Sequence, residues 1–317
     1  MASVNSPLAR LGGSEGGCAF AFGADHGFDP ARPGEVRVGL PPLLTPPLVE
    51  RWLEGLRLAP GRHGDAGYLA GDGLLLGHLL LEETPGRDMA ALAGAAYGRL
   101  LACVRDAGFP HLLRVWHVLP AITGVENGIE RYRAFSVGRH AALRAGYGDG
   151  FEPLLPAASA VGGRAPGLLV SFLAGAAPGV QVENPRQTSA FRYPVRYGPK
   201  SPAFSRALRT GDGALVLSGT ASIVGHESRH TGDPAAQTEE IVRNLEALGA
   251  GRDGAPPAFL RVYLRREEDW PVVEAALRRA YGPALPLLPL RADVCRPDLL
   301  VEAEGLALPP EPAPCAA

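Results

Sequence analysis

Cysteine is scarce in this chain, and neither sign of charge is in excess. The 317 residues include four cysteines, Cys18, Cys103, Cys295 and Cys315, at spacings that match neither a zinc site nor a redox pair. Basic and acidic residues number 31 and 33, leaving a net charge of −2. That balance excludes a general nucleic-acid or membrane-surface binder, which needs long-range attraction. The apolar run from Leu74 to Leu81 is broken by Gly77 and His78, and it is far too short to span a bilayer. The opening MASVNSPLARLGG has no apolar core of a secretory signal, so the expectation is a soluble, cytoplasmic protein with reduced thiols. No glycine pattern makes a nucleotide cradle, since Gly211-Asp212-Gly213 reads as a hairpin turn. No GxSxG elbow is present either.

What is there is a globular composition. Hydrophobic residues make up 46%, and the 41 glycines and 31 prolines show no repeat period, which implies many turns rather than low complexity. Residues 1–35 are rich in Gly, Ala and Pro and read as a ragged start. Residues 67–81 form a hairpin about Gly71-Asp72-Gly73. A helix is expected over 88–106, with Leu92, Ala95, Ala96, Leu100 and Val104 at helical spacing, stopped by Gly108 and Pro110. A strand over 111–119 and a helix over 128–145 follow. The later half repeats that order, with strand 214–224, helix 234–248, strand 259–264, helix 270–281 and strands near 287–290 and 299–303. LLRVW at 112–116 matches FLRVY at 259–263. This is either an internal duplication or a coincidence in an Ala/Leu-rich chain. Two such units would each lay helices on one face of a mixed sheet. The Pro/Ala/Gly-rich stretch EPLLPAASAVGGRAPG places a boundary between domains of 1–155 and 156–317.

Residues 184–202 read NPRQTSAFRYPVRYGPKSP. Arg186, Arg192, Arg196 and Lys200 occur there without an acid, interleaved with Phe191, Tyr193 and Tyr197. Prolines and a glycine keep the segment out of a helix interior. Guanidinium forks and tyrosines suit a small planar anion, while a solvated surface loop is the plain alternative. His226-Glu227-Ser228-Arg229-His230 is formally HExxH, but it follows a strand and runs into a turn at Thr231–Pro234. Non-helical backbone would splay the two imidazoles, so no metal is expected. Asp233 or Thr231 is the expected cap of the next helix. In LLVEAEG, alternation puts Glu302 and Glu304 on one face with Leu300. There they are either a general acid with a raised pKa or polar groups on a sheet edge. Cys295 reads by default as a buried inert thiol. Tyr132 and Arg139, seven residues apart, share a helix face, either exposed or closing over the basic segment.

Taken together, ENPRQTSAFRYPVRYGPKSPAFSRA (183–207), SGTASIVGHESRHTGD (218–233), YRAFSVGR (132–139) and VCRPDLLVEAEG (294–305) resemble the chorismatases of bacterial secondary metabolism. The first hundred residues match loosely. The resemblance implies an α+β fold of two tandem YjgF/RidA-like (chorismate mutase-like) domains, a first degenerate one and a second bearing the acid. It implies an enzyme acting on chorismate with neither a metal nor an organic cofactor, as a monomer or small homo-oligomer. Glu302 falls at the position that protonates the enolpyruvyl group. Tyr132, Arg139, Arg192 and Tyr197 fall at positions that hold the substrate carboxylates, and the resemblance extends to Tyr193 and Thr220. Cys295 matches the branch that makes 3-hydroxybenzoate and pyruvate; an alanine there marks the branch that makes a dihydroxycyclohexadiene carboxylate. Arg196 and Lys200 are left as surface charges. Phe191 stands where tyrosine is expected, which removes a hydroxyl and points to altered substrate contacts or a divergent product. The alternative of another class is a RidA-like binding protein that keeps the pocket without the chemistry.

Overall fold

The computed structural model describes residues 8–11, 16–45, 48–251 and 256–309, so Cys315 lies outside the described residues. Five short strands come first: β1 (Ala9–Leu11), β2 (Cys18–Phe22), β3 (Gly27–Phe28), β4 (Glu35–Val38) and β5 (Glu50–Trp52). They form one sheet in the order β1-β5-β2-β4-β3. This sheet replaces the ragged start expected from composition. Its strands are two to five residues long, too short for a period to show.

The rest is two copies of one arrangement. In the first, β6 (Ala59–His63), β7 (Ala66–Gly71) and β8 (Leu74–Leu81) lead to helix α1 (Met89–Asp106) and β9 (His111–Pro120). The small pair β10 (Val125–Glu126) and β11 (Ile129–Glu130), helix α2 (Arg131–Tyr147), β12 (Ala157–Gly163) and β13 (Leu168–Gly175) complete it. The second runs through β14 (Val180–Val182), β15 (Ala207–Arg209), β16 (Leu215–Ala221), the hairpin β17 (Ile223–Val224) and β18 (Glu227–Ser228), then helix α3 (Pro234–Ala247). It ends with β19 (Pro257–Leu264), helix α4 (Trp270–Tyr281), β20 (Leu287–Arg291) and β21 (Val301–Ala307). The sheet orders are β12-β9-β13-β8-β7-β6 and β20-β19-β21-β16-β15-β14. Each has one parallel pair, β12 with β9 and β20 with β19. The tandem units expected from LLRVW and FLRVY are therefore present, with the two motifs in equivalent strands.

The boundary at 155/156 is corrected. β12 pairs with β9 and β13 pairs with both β8 and β9, so the first sheet closes only at Gly175. The stretch AASAVGG looked like a linker because its residues are small, yet five of its seven are buried along with the sheet.

Helix caps follow the sequence. Asp88 accepts the Ala91 N–H at 2.8 Å and Asp233 that of Ala236 at 3.0 Å, satisfying donors left free at each N-terminus. The two sheets face each other. Trp116, Val118, Leu169 and Leu173 of the first meet Val216, Phe259, Leu290 and Leu306 of the second in one apolar layer. The N-terminal sheet wedges Trp52 into that layer, its ring edge-on to Trp116 at 4.8 Å and to Phe259 at 6.5 Å. Helices α1 and α2 cover the outer face of the first sheet, and α3 and α4 that of the second. Gly138 lets α2 lie against α1, because a Cβ there would collide with the Ala90 carbonyl. That close crossing sets Arg139 over the Tyr97 ring at 5.0 Å.

Candidate active site

A cavity of about 340 Å³ opens between the two units. Helix α2 and β12 form its first-unit side, and β16 and β21 its second-unit side. Segment 193–206, the β17–β18 hairpin and the loop 295–298 complete it.

The floor is carboxylic. β21 runs between β16 and β19, with Glu302 opposite Ala221 and Tyr263. Alternation turns Val301 and Ala303 toward the helices and Glu302 and Glu304 toward the space between the sheets. The sheet-edge alternative is overturned: β21 is a central strand, and the two glutamates are 5% and 2% exposed. Leu300 precedes the strand and packs on the helix side instead.

The two carboxyls then diverge. Burial, reinforced by the charge of Glu304, pushes Glu302 up to about 8 despite Arg114 and Arg206. Burial opposes the charge on Glu304 as well. There, however, Arg114 Nη2 donates at 2.6 Å and Arg261 Nη1 lies 2.9 Å away, holding Glu304 below the ordinary carboxylate value. One acid that keeps its proton near neutrality beside one that stays ionised is an acid–base assignment written by environment. Gly219 of β16 makes room for it, since a Cβ built there would fall on the Glu302 carboxyl. Gly219→Ala is expected to lower kcat on the order of 10²-fold by displacing the acid, with KM and thermal stability little changed. Steady-state kinetics beside a melting curve check this.

Cations surround the upper part of the cavity. Arg139 is 3% exposed, and its Nε and Nη2 have no hydrogen-bond partner. Buried polar groups are nearly always satisfied, so an unpaired guanidinium facing a cavity calls for an anion. Arg206, also buried, donates from Nη2 to the Thr188 carbonyl and the Tyr193 hydroxyl, both at 2.7 Å, and keeps Nε unpartnered. Arg296 lies over Tyr197 at 4.2 Å and donates to the His226 carbonyl at 2.9 Å. Tyr132 stacks on Phe135, and its hydroxyl is held protonated by burial and by Cys295. Burial and nearby Glu302 push the Cys295 thiol up to about 12. Arg265 fixes the loop that carries Cys295, donating to the carbonyls of Val294, Arg296 and Leu299 at 2.7, 3.1 and 3.0 Å.

Of the residues expected from sequence, Glu302, Cys295, Tyr132, Arg139, Tyr193 and Tyr197 meet at this cavity. Arg192 does not. It ends a short 3₁₀ turn, is exposed, and lies over Phe191 at 5.7 Å. Thr220 is buried with its hydroxyl turned back to the Ser218 carbonyl at 3.0 Å, while its neighbours Gly219 and Ala221 face the cavity. Phe191 packs against the first unit's core outside the cavity wall, so its missing hydroxyl touches no cavity contact. Arg186 pairs with Glu240 of α3. Arg196, expected as a plain surface charge, borders the mouth and pairs with Glu227 at 3.2 Å. The basic segment therefore contributes aromatics more than cations. Arg206, Arg296, Ser159 and Gly219 were missed, although Arg206 and Arg296 lie within the stretches AFSRA and VCRPDLL.

The HExxH residues adopt non-helical backbone. His226 sits at the β17–β18 turn, its Nδ1 3.0 Å from Arg196 Nη2 and 3.2 Å from the Tyr197 hydroxyl. His230, at φ 58°, places Nε2 3.3 Å from Glu240. The two imidazoles serve different partners.

Comparison with known proteins agrees with this architecture. The chorismatase FkbO/Hyg5-like N-terminal family matches residues 50–174, ending where the first sheet ends. A 3-hydroxybenzoate synthase of Streptomyces hygroscopicus is 32% identical over 311 residues, covering 90% of this chain and 87% of that protein. A chorismatase of Streptomyces rapamycinicus is 38% identical over 236 residues, 68% of this chain and 70% of its own length. A chorismatase crystal structure superposes with a TM-score of 0.83 at 29% identity, covering 97% of this chain and all of that one. With identity of this level over most of its length, and one fold throughout, the chain belongs to the chorismatase family.

Proposed function

We propose that the protein converts chorismate to 3-hydroxybenzoate and pyruvate by acid-catalysed cleavage of the enolpyruvyl ether. The observation that carries this reading is a buried carboxyl, Glu302, pushed up to about 8 by its burial, in a cavity whose Arg139 guanidinium lacks a hydrogen-bonding anion. Glu302 gives its proton to the methylene carbon of the enol ether, and an oxocarbenium centre develops beside the ether oxygen. The neighbouring ring hydroxyl then forms a bond to the ether-bearing ring carbon. The ring–ether bond breaks onto oxygen, so pyruvate leaves as its ketone and the hydroxyl proton is released. Opening of the arene-oxide-like product, with loss of the ring hydrogen, gives the aromatic acid and returns one proton to Glu302. The two products together have the composition of the substrate, so no water enters.

Arg139 and Arg206 are assigned to the two substrate carboxylates. Tyr132, Tyr193 and Tyr197 supply apolar faces and hydroxyl donors. The neutral Cys295 thiol behaves as a small hydrophobe and fills space beside Glu302 that a water would otherwise take. Incubation with pure chorismate and chromatography of the products tests the function, with 3-hydroxybenzoate and pyruvate expected in equal amounts. Pyruvate accompanied by a dihydroxycyclohexadiene carboxylate would move the protein to the water-consuming branch, and no turnover would sink the reading. Cys295→Ala is expected to divert product toward that non-aromatic acid while pyruvate release continues, as read from the ratio of the two acids.

A further inference from the structure

The two sequence repeats converge on one carboxylate. LLRVW supplies Arg114 from β9 and FLRVY supplies Arg261 from β19, and both reach Glu304. Two buried guanidiniums on one carboxylate leave an excess positive charge. The N-terminal sheet, which belongs to neither repeat, supplies the missing anion. Glu50 of β5, 1% exposed, receives Arg261 Nη2 on Oε1 at 2.7 Å and Arg261 Nε on Oε2 at 2.9 Å. Trp52 Nε1 donates to the same Oε1 at 2.5 Å. Ser159 joins the cluster to the cavity: its Oγ accepts from Arg114 Nη2 at 2.5 Å, and the residue lines the cavity beside Gly219.

We infer that Glu50 is a positioning residue for the acid step: by completing a neutral quartet with Arg114, Arg261 and Glu304, it leaves the neighbouring Glu302 carboxyl carrying its proton. The inference rests on Glu302 as the proton donor. Burial makes the arrangement effective, since an unbalanced charge in a water-poor layer is screened far less than one in solvent. Charged and titratable groups face Glu302 from every side. They are Glu304 on its own strand, Arg114 and His117 of β9, Arg261 and Tyr263 of β19, Tyr132 and Arg139 of α2, and Arg206, Cys295 and Arg296 from the loops. Burial and the adjacent arginines keep His117 neutral, and Tyr132, Tyr263 and Cys295 keep their protons. Outside the quartet, the fixed charges in that set are Arg206, Arg139 and Arg296, which the substitution leaves unchanged. Loss of Glu50 would add another positive charge to them.

The sign follows. The donor works protonated, so kcat/KM falls as pH rises through the Glu302 value. An added positive charge favours the ionised form and moves that fall to lower pH. Glu50→Gln is expected to move the alkaline limb of kcat/KM down by about one pH unit or more, whereas Arg261→Gln moves it up. The double variant Glu50→Gln/Arg261→Gln, neutral again, is expected to return the limb to the wild-type position even if its melting temperature is lower. A purely structural role would lower melting temperature without these opposite shifts. Limbs that stay put in the folded single variants, or a double variant that fails to restore the profile, would overturn the inference. If Glu50→Gln does not fold, the opposed behaviour of Arg261→Gln and the double variant decides the matter. Full turnover by Glu302→Gln would instead remove the underlying assignment of the donor, a different result from unshifted limbs.

Discussion

Glu302→Gln is expected to lower kcat by about 10²–10⁴-fold, the usual contribution of a positioned general acid, in a protein that folds as before. Glutamine keeps the size and neutrality of the protonated carboxyl and removes only the transferable proton. KM should change little, because the proposed assignment gives the grip on the substrate to the arginines and not to this side chain. The same burial that makes the acid useful costs stability when it ionises. A buried carboxyl raised from 4.5 to about 8 contributes its full stability below the ordinary glutamate value and loses it as pH rises through the raised one. Glu302→Gln should therefore match wild type in melting temperature at pH 6 and exceed it at pH 9. Wild-type kcat/KM should fall over the same alkaline range. Retained turnover, or a melting difference with the opposite pH dependence, would show that Glu302 is not the buried donor.

Much of this floor was readable from sequence, because a strand's period of two is strict. Once VEAEG is a strand, Glu302 and Glu304 must share a face, and Tyr132 and Arg139 share one by two turns of helix. What alternation does not say is which face is buried, and therefore whether the glutamates are edge polars or an interior pair. Only the position of β21 between β16 and β19 decides that. The irregular segment was less legible. Without a period, a run of cations gives no direction for any of them. The 3₁₀ turn over Ala190–Arg192 sends Arg192 outward, while Arg206, at the entry to β15, is buried at the cavity with Tyr193.

The fold was legible for the same reason and failed where that reason lapses. Helices α1 to α4 carry periodic patterns and strands β8, β9 and β19 long apolar runs, and the LLRVW/FLRVY match offered the equivalence of β9 and β19 as one of two readings. The N-terminal sheet lacks such runs, and β12 is so rich in alanine and glycine that it resembled a linker. Its small residues have a place in the fold all the same, since Ala158, Ser159 and Ala160 form a cavity wall. Equivalence also shows what stands in the first unit where the second has Glu302. Glu302 lies opposite Tyr263 of FLRVY, and the residue opposite Trp116 of LLRVW is Ser171. Ser171 is sealed against His78 at 2.8 Å, and His78 against Cys18 of the N-terminal sheet at 3.1 Å. The added sheet thus closes the place in the first unit that corresponds to the acid's place in the second.

Arg139→Met should lose activity and gain stability. The guanidinium is buried with Nε and Nη2 unbonded, resting on the Tyr97 ring. That ring is held in turn by the Tyr97 hydroxyl, 2.7 Å from His117 Nε2. A buried cation without a paired anion is costly, and replacing it by an apolar chain of similar length is neutral or stabilising. The substrate carboxylate would be the missing partner, joined by charge-assisted hydrogen bonds that only a guanidinium makes in that geometry. Removal of one side of such a buried pair is expected to lower kcat/KM by about 10²–10³-fold, nearly all of it in KM, since the carboxylate is held alike before and during proton transfer. Melting temperature without substrate should be equal to or above wild type, and saturating chorismate should protect the variant far less than it protects wild type. A drop in both melting temperature and kcat would instead make Arg139 a structural support of the α1–α2 crossing.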